Sequence, residues 1–105
     1  MKEKLVRDLI PAIIEEQGKV CNYRYTASKQ EYLGLLADKA GEEALELAEA
    51  GTLAEAIEEA GDLYEVFTRL LESRGVTIEE AKAAAIKKAN SRGGFLQGVV
   101  LQTLV

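Results

Sequence analysis

The sequence predicts an all-α fold, an antiparallel helix bundle organised on two central helices. Three observations lead there. Three capping boxes, Ser28 with Glu31, Thr52 with Glu55 and Thr77 with Glu80, each stand directly before an amphipathic run. Gly18, Gly51 and Gly75 close three of the helical patterns. Between these signals apolar residues recur at intervals of three and four, the period of a helix with one covered side.

In chain order, residues 1–18 read as a short leader and a first helix. Asp8 is its expected N-cap, Pro11 falls in its first turn, and Leu9, Ile10, Ile13 and Ile14 form its apolar stripe. Residues 19–27, KVCNYRYTA, alternate in part and carry Tyr23 and Tyr25, which predicts a strand. The second helix spans about 29–50 with a stripe of Leu33, Leu36, Ala37, Ala40, Ala44, Leu47 and Ala48. Leu35 and Leu45 lie off that stripe and suggest a second contact, with another subunit as one option. The third helix spans about 53–73 with Leu53, Ala56, Ile57, Ala60, Leu63, Tyr64, Phe67, Leu70 and Leu71 on its stripe. Gly41 and Gly61 inside these helices suggest close approach of a neighbour. The fourth helix covers 78–91 and ends in a basic, glycine-rich turn, Asn90-Ser91-Arg92-Gly93-Gly94-Phe95. The apolar tail 95–105 is expected to be covered, as a strand in a short peripheral β-hairpin with 19–27 or against a second chain.

Composition narrows the chemistry. A chain of 105 residues is read as one domain over 1–105. Its net charge of −5 argues against nonspecific nucleic-acid binding. No apolar run reaches the length of a membrane span, and the charged N-terminus does not read as a signal peptide. The single cysteine, Cys21, precludes an intramolecular disulfide and fits the cytoplasm. There is no histidine, so His-based zinc sites, His general bases and Ser-His-Asp triads are all excluded. Chemistry here falls to carboxylates, Lys, Arg, Tyr, hydroxyls or a metal.

The carboxylates are patterned. Glu43 and Glu46 lie three apart on the second helix, and Glu59 and Asp62 three apart on the third. Residues three apart share a helix face. The break at Ala50-Gly51-Thr52 is short enough to fold the helices back on each other, which brings four carboxylates to one helix pair. Projected at about 100° per residue, Glu43 and Glu59 fall at the edge of their apolar stripes, with Lys39, Glu46, Glu55 and Asp62 just outside. Val66 lies within the acidic strip, which is unexpected for a strip that simply faces water. Glu42, Glu49 and Glu58 read as solvated. Four clustered carboxylates repel one another unless a cation joins them, and a hard divalent ion such as Mg²⁺ is the natural partner. The alternative is ordinary solvated helix surface. At the far end Lys88 and Arg92 read either as a dipole-compensating helix end or as a phosphate grip.

Glu43-x-x-Glu46 followed after twelve residues by Glu59-x-x-Asp62, with KLVRDLIP at 4–11 and Lys88-x-x-x-Arg92-Gly-Gly-Phe95, resembles the signature of the MazG-like nucleotide pyrophosphohydrolases. These belong to the all-α NTP pyrophosphatase superfamily, with phosphoribosyl-ATP pyrophosphohydrolase a relative of the same small branch. The resemblance implies an enzyme that cleaves the α–β phosphoanhydride of a nucleoside triphosphate to a monophosphate and pyrophosphate. It implies Glu43, Glu46, Glu59 and Asp62 as ligands of Mg²⁺, with Mn²⁺ as a substitute, and Lys39, Lys88 and Arg92 as phosphate-binding residues. It also implies a homodimer or homotetramer. Two alternatives stand beside this reading: a catalytically silent helical dimer that serves as an interaction module, and phosphoribosyl-ATP pyrophosphohydrolase itself.

Overall fold

The computed structural model describes residues 3–104. Four α-helices follow in order: α1 (Ile10–Glu16), α2 (Lys29–Glu49), α3 (Leu53–Ser73) and α4 (Ile78–Arg92). No strand occurs among the described residues. The fold is all-α, as the sequence predicts.

Local signals set the boundaries. Ser28, Thr52 and Thr77 each accept a hydrogen bond from the backbone N–H three residues on, at Glu31, Glu55 and Glu80. The box is reciprocal only at α4, where the Glu80 carboxylate accepts from the Thr77 N–H. At α2 and α3 the glutamate reaches one residue further back, to the N–H of Ala27 and of Gly51. α3 closes through paired bonds from Gly75 N–H to the Glu72 carbonyl and from Val76 N–H to the Leu71 carbonyl, with Gly75 at φ +71°. The end of α1 repeats this pattern around Gly18. Gly51 does not: α2 leaves the helix at Ala50 in an extended conformation, with no left-handed residue. Asp8 is not the cap of α1 either. Leu9 holds that position in a helical conformation without a side-chain bond.

Two further expectations are corrected. Residues 19–27 form no strand. Arg24 donates to Glu3 and to Glu31, which ties the segment to the N-terminal stretch and to the start of α2 rather than into a ladder. A single strand has no partner for its backbone groups. Residues 95–104 likewise make no ladder, and Val105 lies outside the described residues. No element of the same chain closely approaches Gly41 or Gly61, since a Cβ at either would meet open space.

α2 and α3 are of equal length and pack along each other as an antiparallel hairpin across the Ala50–Thr52 turn. Their seam is small: Leu36 is 2% exposed, Glu43 4% and Val66 8%, and these are the buried residues among those described. The predicted stripe of α3 is covered only in part: Leu63, Leu70 and Leu71 are half-buried, while Leu53 is 78% exposed and Ile57 64%, with Tyr64 and Phe67 exposed beside them. α4 buries no residue. The apolar tail that was expected to be covered is exposed within this chain at Phe95, Leu96, Val99, Val100, Leu101 and Leu104. The radius of gyration is 17.7 Å, against about 13 Å for a compact chain of this length. The accessible surface is 9152 Å², against roughly 5,800 Å² for a folded monomer of this mass. One copy therefore does not close a hydrophobic core.

Candidate metal and phosphate site

The acids share the seam with Leu36 of the α2 stripe. Val66, within the acidic strip of α3, is the buried apolar residue of that helix, so this strip faces α2. Carboxylate oxygens of Glu43, Glu59 and Asp62 lie within 4.8 Å of one another across the two helices. A second trio, Glu42, Glu43 and Glu46, runs along α2 alone, with Glu42 and Glu46 exposed. Glu43 belongs to both trios. Asp62 is half-buried and accepts from Arg7, with Nη2 at 2.7 Å from Oδ1.

The electrostatics of the seam follow from this crowding. Glu59 is pushed up to about 7, first by the Glu43 carboxyl at hydrogen-bonding range, then by Glu46 in the same way, and then by partial burial. Near neutral pH Glu59 is therefore only partly ionised. Oε2 of Glu43 and Oε2 of Glu59 are sealed from solvent and have no hydrogen-bond partner. Buried anionic oxygens with no partner are costly without a proton or a cation. Lys39 offsets part of this charge, with Nζ at 3.3 Å from Oε1 of Glu43 and 3.9 Å from Glu42.

The donor set is all carboxylate, which suits a hard divalent ion and disfavours soft ones. Glu43 from α2 and Glu59 and Asp62 from α3 bring carboxylate oxygens within 4.8 Å of one another, close enough to share such an ion. The residues present therefore fit a divalent cation.

The phosphate-binding candidates separate. Lys39 reaches the cluster. Lys88 and Arg92 stand on α4, which is not packed along α2 or α3, and neither forms a salt bridge among the described residues. Arg7 was not among the expected site residues, yet it is the arginine that touches the cluster. Its charge is further stabilised by that contact, and beyond Asp62 by the fields of Glu65 and Glu43. The available signal was KLVRD at 4–8, which sequence spacing alone does not connect to Asp62, 55 residues away.

Comparison with known proteins places the chain in a family. The family model described as phosphoribosyl-ATP pyrophosphohydrolase matches residues 6–90. The chain belongs to the phosphoribosyl-ATP pyrophosphohydrolase family. It is thus a nucleotide pyrophosphohydrolase, a hydrolase acting on acid anhydrides, of the all-α branch that its motifs resemble. The match begins just before Arg7 and takes in both acidic pairs and Lys88, while Arg92 and the tail lie beyond it. No curated protein and no solved structure matches the chain.

Proposed function

We propose that the chain hydrolyses the α–β phosphoanhydride of a nucleotide in the cytoplasm, releasing a monophosphate and pyrophosphate, with Mg²⁺ as the ion and Mn²⁺ as a substitute. The observation that carries this reading is the trio Glu43, Glu59 and Asp62 brought together between two helices, with Oε2 of Glu43 and of Glu59 buried and unpartnered. In this reading Glu43, Glu46, Glu59 and Asp62 hold the cation. When bound, the cation supplies charge neutralisation and polarisation of the phosphate oxygens. Lys39 holds Glu43 in place and stands at the edge of the cluster for a phosphate oxygen. Lys88 and Arg92 are assigned to phosphate, and because α4 stands apart within one chain, another copy would deliver them.

Assembly is part of this reading. The surface left open along α3 and the tail exceeds what a stable monomer exposes, and a homodimer or homotetramer would cover it.

The family description fits one specific alternative substrate, phosphoribosyl-ATP, equally well. Incubation of the purified protein and Mg²⁺ with canonical and noncanonical NTPs and dNTPs and with phosphoribosyl-ATP, measuring pyrophosphate, separates the two. Turnover confined to phosphoribosyl-ATP would replace the triphosphate reading. No pyrophosphate from any of them would leave the silent interaction module as the better account.

A further inference from the structure

Phosphate must be bound at a site whose own walls are anionic, and within one chain two cations touch those walls. Lys39 does so from α2 itself. Arg7 does so from outside the hairpin, on the segment that precedes α1. That segment lies beside the hairpin: Glu3, Lys4 and Leu5 face Leu35, Asp38 and Lys39 of α2 across a cleft of about 270 Å³. Arg24 fastens its beginning by a two-pronged contact with Glu3, at 3.1 and 3.2 Å. Arg7 is thus presented to the acids by an anchored stretch.

The contact is also incomplete. A guanidinium carries five N–H donors in a planar fork that matches carboxylate or phosphate two bonds at a time. Arg7 uses Nη2 on a single oxygen of Asp62, and its other donors have no acceptor among the described residues. Its side chain is more than half exposed.

We propose that Arg7 is a phosphate-binding residue held on Asp62 until a cation and a phosphate chain arrive, an inference that rests on the metal-site reading above. In the empty site the guanidinium stands in for the missing positive charge at Asp62. A divalent ion takes over that carboxylate, and the freed fork turns to the phosphate oxygens that enter with it. Arg7 therefore competes with the ion when the ion comes alone and cooperates with it when phosphate is present.

Competition and cooperation give effects of opposite sign in one variant. Calorimetric titration of the full chain with Mg²⁺ alone, and then with inorganic pyrophosphate at saturating Mg²⁺, is performed on wild type, Arg7→Ala and Arg7→Lys, with circular dichroism of each. Arg7→Ala is expected to bind Mg²⁺ alone about 3- to 10-fold more tightly, because the ion no longer displaces a guanidinium. The same variant is expected to bind pyrophosphate about 10-fold or more weakly, and Arg7→Lys to fall between, since lysine keeps charge but loses the fork. Arg7→Ala with unchanged or weaker Mg²⁺ binding, or with unchanged pyrophosphate binding, overturns the proposal and leaves Arg7 a tether. Wild type that binds no Mg²⁺ overturns the site reading itself, and this inference with it.

Discussion

The two sides of α3 have opposite fates. One side carries Glu59, Asp62 and Val66, and lies on α2. The other carries Leu53, Ile57, Tyr64 and Phe67, and is left open by the chain. Hydrophobicity alone would assign them the other way. An apolar stripe records that a surface is covered, without recording which chain covers it. An acidic strip on the inner side is stable only when something positive joins it, so α2 and α3 meet there at an electrostatic cost. The inner side reads as chemistry and the outer side as assembly.

The first way to break this contrast is to remove the inner side's acid. Glu59→Ala is expected to lower turnover by at least about 100-fold while far-UV circular dichroism stays that of wild type, because losing a group that merely supports a ligand costs about 10–100-fold. Near-full turnover would return the inner strip to ordinary surface. The outer side comes next. Ile57→Glu is expected to shift sedimentation toward monomer and to lower the melting temperature in a concentration-dependent way. A truly solvent-facing residue would change stability by no more than about 0.5 kcal/mol.

Adding the ion sharpens the contrast further. Mg²⁺ at about 100 times its dissociation constant is expected to stabilise wild type by about 2.7 kcal/mol, and Glu43→Gln by far less, as read from melting curves. The pH dependence has a definite sign. Glu59 titrates at about 7 in the folded chain against 4.5 as its ordinary value, so the folded chain binds the extra proton between them. Its contribution to metal-free stability is therefore present below about pH 4.5 and is lost as pH rises toward 7. Glu59→Gln, which keeps the neutral shape, is expected to remove that part of the slope in melting curves from pH 4.5 to 7.5. The smallest effect concerns the helix start. Thr52→Ala removes the bond from the Glu55 N–H and is expected to cost about 1 kcal/mol in denaturant titration.

The helix bounds were legible because their determinants are local. Thr52, Glu55 and Gly75 lie at fixed offsets from the ends of α3, which runs from Leu53 to Ser73 as expected. The three-residue period likewise pairs Glu59 with Asp62, and Val66 within their strip marks that strip as an inner one. Non-local facts were not legible. The alternation in 19–27 resembles a strand, but a strand needs a partner, and Arg24 found Glu3 and Glu31 instead. Lys88 and Arg92 looked like neighbours of the acids because a motif joins them, although within one chain α4 stands apart. The Arg7–Asp62 pair spans 55 residues, and no periodicity reports such a contact.

The cap at Thr52 has one more consequence. Seven residues separate it from Glu59, close to two full turns, and ten separate it from Asp62. The cap is therefore the zero mark of a ruler along which the acids are placed. One residue added after the mark turns Glu59 by about 100° away from Glu43, while one added before it, at Ala50 or Gly51, only lengthens the link. An insertion scan of this chain should meet a sharp edge at Thr52, with variants that keep the site on one side and variants that lose it on the other.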